Sequence, residues 1–141
     1  MSDLCKKLSR VDISSALSQL PATQFHDSGG SNGWLAEPAW LDEFIASLGL
    51  GRVVHRTLRM LPAGQGIPPH VDRESLSPRS AGCRYHIPLV THPLVTMRWP
   101  TDGEEHHLEA GWLYEVEHRK LHEIVNRAPV ERVHLVFNVV N

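Results

Sequence analysis

Residues 132–140, Arg-Val-His-Leu-Val-Phe-Asn-Val-Val, carry the pattern that decides the fold. Polar side chains at 132, 134 and 138 alternate with apolar ones, and a period of two is typical of a β-strand whose two faces differ. Seven other runs of β-like sequence precede this one, at 52–61, 67–72, 83–91, 94–99, 106–109, 112–117 and 122–125. Turn residues separate the runs, and no helical pattern lies between them. Eight short strands in this order predict a mainly β fold, a jelly roll or double-stranded β-helix.

The first fifty residues have a different pattern. Apolar residues recur at helical spacing over 11–20 and again over 38–48, on either side of a loop rich in Asp, Ser, Gly and Asn. These segments predict two short helices that pack outside the β core. We therefore expect a single domain over 1–141, with a helical N-terminal region at 1–50 and a jelly-roll core at 51–141.

Composition narrows the class of protein. The chain has 141 residues, of which 41% are hydrophobic and 21% charged, as in an ordinary globular protein. A net charge of −2 gives no basic surface for nucleic acid, and no apolar run is long enough to span a membrane. The N-terminus lacks the apolar segment of a secretory signal, and two cysteines form neither a disulfide framework nor a zinc motif. We expect a cytoplasmic protein without nucleic-acid or membrane partners.

The strongest chemical signal is the tripeptide His70-Val71-Asp72 together with the distant His122. Alternate residues of a strand share a face, so His70 and Asp72 can point the same way. One more histidine completes a facial set of two imidazoles and one carboxylate. This set leaves three octahedral positions open and is typical of non-haem Fe(II) oxygenases. The alternative is that His70 and Asp72 do not bind a metal and are simply a pair of residues at the edge of a loop, after two prolines.

A His-x-acid tripeptide alone is weak evidence for a metal site in a chain with ten histidines. His107-Leu108-Glu109 is a second match to the same pattern. A solvated hairpin end explains that match better. Spacing favours the first one, because glycine stands six residues before His70 and eleven before His122, as in the two cupin motifs. Asn126, four residues after His122, also fits the second motif, although its usual proline and middle glycine are absent.

Two arginines are candidates for binding an anion. Arg132 begins the last strand, and an arginine facing inward there would be a costly buried charge unless an anion met it. Its rigid fork of donors suits a carboxylate. Arg84 and His86 alternate on the run 83–91 and would share a face. The alternatives are a structural salt bridge from Arg132 to a glutamate at 115, 117 or 131, and a solvated position at the strand edge for Arg84.

The segments 83–89, 122–126 and 132–137 resemble the aspartyl/asparaginyl β-hydroxylase family of Fe(II)- and 2-oxoglutarate-dependent oxygenases. The resemblance covers about 52–140, and its most specific part is the joint spacing of the residues at 122, 126 and 132. It implies the following site: His70, Asp72 and His122 hold the iron, Arg132 binds the distal carboxylate of 2-oxoglutarate, and Arg84 and His86 lie near its chelating end.

The implied reaction is hydroxylation by O₂ of an unactivated C–H bond in an amino acid or an Asp/Asn-type residue, with succinate and CO₂ as co-products. Met97, Trp99 and Asn126 are candidates for the substrate wall, although core packing is the alternative for the first two. The segment 73–82 is either a lid or an ordinary loop. Members of the family from animal membranes lack the acidic ligand, so Asp72 indicates the bacterial type. The substrate itself cannot be carried over.

Two other functions fit the same barrel. One is a cupin metalloenzyme that acts without 2-oxoglutarate, and the other is a non-catalytic barrel that binds a metal or a small anion. Arg84 and Arg132 favour the oxygenase, because a metal-only enzyme gives no reason to place both inside the barrel.

Overall fold

The computed structural model describes residues 2–28, 33–72 and 82–140. The fold is mainly β, with two short helices. The strands in the described residues are β1 (Cys5–Arg10), β2 (His26–Asp27), β3 (Trp34–Ala36), β4 (Arg52–Leu61), β5 (Gly66–His70), β6 (Cys83–Val90), β7 (Val95–Trp99), β8 (Glu104–His106), β9 (Trp112–Val116), β10 (His122–Asn126) and β11 (Arg132–Val140). The helices are α1 (Ser14–Gln19), which continues into a 3₁₀ turn at Leu20–Ala22, and α2 (Trp40–Ala46).

The strands form two antiparallel sheets. Seven strands pair in the order β1-β9-β6-β11-β4-β3-β2, and four pair in the order β5-β10-β7-β8. Each of the eight runs of β-like sequence has a strand within or beside it, and most bounds agree to within a residue or two. The prediction of a mainly β fold with antiparallel strands is therefore confirmed.

The N-terminal region, predicted to be helical, contains strands as well as the two predicted helices. Three strands, β1 to β3, lie there and extend the larger sheet on both of its edges. Most of β1 is exposed, so its sequence has no apolar alternation to detect; its backbone pairs with β9 from Cys5 to Arg10 instead. The two helices are also shorter than the predicted segments, although both lie within them.

Strand β11 lies between β6 and β4 and separates two groups of buried side chains. Its residues Val133, Leu135, Phe137 and Val139 pack with residues of α1 and α2. The alternate residues must point the other way, toward the second sheet. There, Leu61 and Tyr114 of the larger sheet pack against Ile124 and Trp99 of the smaller one. The inner face of β11 therefore carries Arg132, His134, Val136 and Asn138.

Neither helix in the described ranges is long and apolar enough to cross a membrane.

Gly82 immediately precedes β6 and lies close to the backbone of β11. It has a φ of 74°, and a Cβ there would overlap the carbonyl oxygen of Val139. We expect Gly82→Ala to lower the free energy of unfolding by more than about 3 kcal/mol, because left-handed strain of about 1–2 kcal/mol adds to a backbone clash. Gly103→Ala is the control, since Gly103 has a φ of 69° and nothing within 4 Å of its added Cβ. Urea unfolding measures both; equal losses would contradict the close approach.

Candidate functional site

Two paired strands bring the predicted metal ligands together. His70 ends β5 and His122 begins β10, and their Cα atoms are direct partners in the sheet. Asp72 follows two residues after His70, where its backbone N–H donates to the carbonyl of His118 at 3.0 Å. One ligand atom from each of the three side chains lies within 4.8 Å of the others. In the described part of the chain, this is the single cluster of three or more His, Cys, Asp or Glu residues with such geometry.

Backbone carbonyls fix the tautomers of both histidines. His70 Nδ1 lies 2.8 Å from the carbonyl oxygen of Pro68, and His122 Nδ1 lies 2.7 Å from that of Lys120. A carbonyl only accepts, so each Nδ1 carries the proton and each Nε2 keeps a lone pair. The Nε2 atoms lie 3.6 Å and 3.7 Å from the two oxygens of Asp72. Burial lowers the pKa of His122 to about 4, so its ring is neutral near pH 7.

Arg84 is a buried partner of the candidate ligand Asp72. Its Nη1 donates to Asp72 Oδ2 at 2.6 Å, and its Nε donates to Asn138 Oδ1 at 3.0 Å. Burial lowers the pKa of Arg84 to about 10, and Asp72 opposes that change. The guanidinium stays charged at neutral pH. The alternative of a solvated strand-edge arginine is therefore wrong, because the side chain is 5% exposed and holds one oxygen of the carboxylate.

Arg132 has no exposed surface and an incomplete set of hydrogen bonds. Its Nη2 lies 3.0 Å from His134 Nδ1, whereas Nε and Nη1 are buried with no hydrogen-bond partner among the described residues. Burial, with help from the charge of Arg59, lowers the pKa of Arg132 to about 9, so it remains a cation at neutral pH. The alternative of a salt bridge to a glutamate finds no support in residues 2–28, 33–72 and 82–140.

His86 and His134 form a neutral hydrogen-bonded pair beside Arg132. Their Nδ1 atoms lie 3.0 Å apart. A guanidinium only donates, so His134 Nδ1 accepts from Arg132, and His86 Nδ1 must therefore donate to it. Burial, followed by the charge of Arg132, lowers the pKa of both rings well below the ordinary value of 6.5. The remaining proton of His134 is at Nε2, while His86 Nε2 keeps a lone pair.

Arg59 is a third arginine on this face, and it is not among the site residues predicted from the sequence. It lies directly opposite His134 in the β11–β4 register, so the two side chains leave the sheet on the same side. Its charge contributes to lowering the pKa of Arg84, His86 and Arg132. Three arginines occur in the run 52–61, and no local signal separates Arg59 from the others.

The three predicted substrate residues all lie in the smaller sheet. Met97 and Trp99 are buried between the sheets, and the ring of Trp99 lies 6.3 Å from that of His122. Asn126 donates to the carbonyls of Leu61, Pro62 and Val130 and accepts from a backbone N–H. These contacts support a structural role for Asn126, and its role in substrate binding stays a prediction. The segment predicted as a lid lies outside the described residues except for Gly82.

The second His-x-acid match does not form a site. His107 Nδ1 contacts the carbonyl of Val95 at 2.8 Å, and Glu109 forms a surface ion pair with Lys7 at 3.3 Å. The two glycines whose spacing resembles cupins both adopt left-handed backbone, with φ of 78° at Gly64 and 80° at Gly111. Glycine is the residue that takes this conformation without strain.

The fold and the three converging residues define a class, mainly β proteins with a candidate two-histidine, one-carboxylate site. A family model described as Aspartyl/Asparaginyl beta-hydroxylase matches residues 43–141. The match includes the whole His-Asp-His cluster and most of the chain, and the chain belongs to this family. The resemblance found in the sequence is confirmed. A search of curated proteins found no match.

Solved structures add a likeness of fold. A prolyl-4-hydroxylase from Pseudomonas putida is similar over 98% of this chain and 94% of its own, with a TM-score of 0.61 and 17% identity. A cupin domain from Bordetella pertussis Tohama I is similar over 64% of this chain and 85% of its own, with a TM-score of 0.49 and 19% identity. The structural likeness concerns the fold, and the family match indicates a hydroxylase.

The neutral histidine pair predicts acid sensitivity. Folding lowers the pKa of His86 and His134, so below pH 6.5 the unfolded chain binds more protons than the folded one. Stability is therefore complete above the ordinary histidine pKa and falls below it, with a limiting slope of about 1.4 kcal/mol per pH unit for each ring. We expect His86→Asn to reduce the slope of the urea-unfolding free energy between pH 6.5 and 5.5. The exposed His26→Asn is the control; an unchanged slope in His86→Asn would contradict the assignment.

Proposed function

We propose that this protein is an Fe(II)- and 2-oxoglutarate-dependent hydroxylase, built as one domain with a double-stranded β-helix. One observation carries the proposal: the inner sides of the two sheets carry both a His-Asp-His cluster and a buried arginine, two of whose donor atoms have no partner in the described part of the chain. The cluster supplies the ligand types for a mononuclear metal, and Arg132 supplies a cation for an anionic co-substrate. The family match supports hydroxylation as the reaction.

The donor set fits Fe(II). His70 and His122 each offer an Nε2 lone pair, and Asp72 offers an oxygen that Arg84 does not hold. Two imidazoles and one carboxylate leave three coordination positions open. The metal would supply the activation of O₂ for C–H oxidation. The chain's own contribution is orientation, because backbone carbonyls hold both rings and Arg84 holds the carboxylate.

The buried donors fit 2-oxoglutarate. A buried guanidinium without a counterion is costly, and a carboxylate that accepts from the free Nε and Nη1 of Arg132 would offset that cost. Strand β6 links the two ends of the site. Arg84 donates to Asp72, and two residues further along the strand His86 contacts His134, which accepts from Arg132. We propose that the chelating end lies at the cluster and the distal carboxylate at Arg132. His86 would face the chelating end with an acceptor atom.

The proposed substrate is an amino acid or an Asp/Asn-type residue, hydroxylated at an unactivated C–H bond with succinate and CO₂ as co-products. Trp99 supports a dry site, since its ring is fully buried and its Nε1 donates to the carbonyl of Glu117 at 3.0 Å. We propose that Trp99 and the buried Met97 form an apolar wall beside the cluster, which would exclude water from the reacting centre.

Two alternative functions are ranked below the hydroxylase. A cupin enzyme without 2-oxoglutarate, or a barrel that only binds a metal or a small anion, would use the same cluster. The first gives no role to Arg132, whose buried charge then has no partner. The second predicts binding of 2-oxoglutarate with no turnover, and measurement of succinate distinguishes it from the hydroxylase.

Metal binding should depend on Asp72. We expect Asp72→Ala to weaken Fe(II) binding, measured by anaerobic titration, by about tenfold or more, because a charged ligand is lost. Asp72→Asn guards against misfolding, since its amide keeps an acceptor for Arg84. Glu109→Ala is the matched control from the second His-x-acid match and should leave the affinity unchanged. Equal affinities of the Asp72 variants and the native protein would rule out the cluster.

Binding of 2-oxoglutarate should depend on Arg132. We expect Arg132→Ala to weaken anaerobic binding to the iron-loaded protein by about 30-fold or more, since truncating one partner of a buried charge pair costs ~2–5 kcal/mol. Lys at this position should restore part of the affinity, because it keeps the charge without the bidentate fork. Arg98→Ala, at an exposed ion pair with Glu123, is the control. Equal affinities for native protein and Arg132→Ala would refute the role of 2-oxoglutarate.

The same preparations test turnover. Succinate is measured in air with Fe(II), 2-oxoglutarate and panels of amino acids and short peptides. Succinate that depends on both Asp72 and Arg132 supports the hydroxylase. Binding without succinate from any of them supports the non-catalytic alternative.

A further inference from the structure

His134 is a buried polar residue with no assigned role in the metal cluster or at the proposed chelating end. It lies on the inner face of β11, two residues from Arg132, and is 1% exposed. Its Nδ1 is the shared acceptor of Arg132 Nη2 and His86 Nδ1, both at 3.0 Å. One nitrogen of the ring is thus occupied twice, while the other, Nε2, has no partner among the described residues.

The unpartnered nitrogen is a donor. Because both neighbours of Nδ1 donate to it, the proton of the neutral ring is at Nε2. A buried N–H without an acceptor is rare in folded proteins and costs free energy. The same is true of Nε and Nη1 of Arg132, which are also buried and find no acceptor in the part of the chain that the structure describes. Within residues 2–28, 33–72 and 82–140, these two neighbouring side chains therefore present three donor atoms without an acceptor.

This set of donors matches the acceptors of one carboxylate. A carboxylate has two oxygens and about four sites that accept hydrogen bonds, enough for all three donors. We propose that His134 is a binding residue for the dicarboxylate co-substrate, whose distal carboxylate accepts from Nε2–H of His134 together with Nε and Nη1 of Arg132. The inference rests on the proposed function and adds a neutral donor to the charged one.

A purely structural role and a ligand-binding role of His134 depend on different nitrogen atoms of its ring. If His134 serves only to hold Arg132 and His86, the atom that matters is the acceptor Nδ1. If it binds the ligand, the atom that matters is the donor Nε2. Two substitutions separate these atoms. His134→Asn keeps an acceptor oxygen near Nδ1 and removes the donor, whereas His134→Gln places an amide N–H near Nε2 and loses the acceptor.

The test is anaerobic calorimetric binding of 2-oxoglutarate to the iron-loaded protein and to both variants. We expect His134→Asn to bind about tenfold more weakly or worse, since a hydrogen bond to a charged group is lost, and His134→Gln to bind within about threefold of native. Fe(II) affinity should be the same in all three proteins. The reverse order of the two variants, or no loss in His134→Asn, overturns the inference. No binding to the native protein overturns the proposed function instead.

A measurement on the native protein decides the matter where a variant does not fold. Among the four site histidines, His70, His86 and His122 carry the proton at Nδ1 and His134 carries it at Nε2, so ¹⁵N spectra distinguish His134 from the other three by tautomer. With Zn(II) as a diamagnetic metal, 2-oxoglutarate should shift the Nε2–H signal of His134 downfield as the bond to the carboxylate forms. An unchanged signal at saturating 2-oxoglutarate overturns the inference.

Discussion

The rest of the structure depends on β11, a strand covered on both faces that nevertheless carries polar side chains. Its backbone pairs with β4 on one side and β6 on the other, the helices cover one face, and the second sheet covers the other. Strands in such positions normally have apolar residues on both faces. Here Arg132, His134 and Asn138 are buried instead. Water cannot satisfy them, so their partners must come from the protein or from a bound ligand.

Burial lowers the pKa of both the arginines and the histidines on this face, but it leaves the two kinds of side chain in different charge states at neutral pH. It lowers the pKa of Arg84 to about 10 and of Arg132 to about 9, which leaves both charged at neutral pH. It also lowers the pKa of His86 and His134, whose ordinary value is already near 6.5, and these rings become neutral. The site therefore combines permanent cations with neutral hydrogen-bonding rings. Such a set favours an anion, and its charge does not change near neutral pH.

The sequence predicted what local patterns determine and missed what depends on register. Alternation located β4 to β11, because that signal lies within each strand. Spacing pointed to His70 and Asp72, which are two residues apart, and separately to His122, through its distances from Gly111 and Asn126. Strand β1 was not predicted, because an exposed edge strand needs no alternating apolar residues. Arg59 escaped because its orientation follows from pairing with His134, a residue 75 positions away. The Arg84–Asp72 ion pair joins residues on either side of a long connection, and spacing alone cannot indicate it.

The register links the N-terminal strands to the strands that carry the site residues. Directly opposed residues form rows across the larger sheet. One row runs Cys5, Val116, Arg84, Asn138, His55, and another runs Pro88, His134, Arg59, Leu35, His26. The first row carries the arginine that holds Asp72, and the second carries the histidine that contacts Arg132. Each row ends in a strand, β1 or β2, that precedes residue 43, where the family match begins. Because β1 and β2 pair with the outer edges of β9 and β3, both rows of site residues continue beyond the segment that the family model matches.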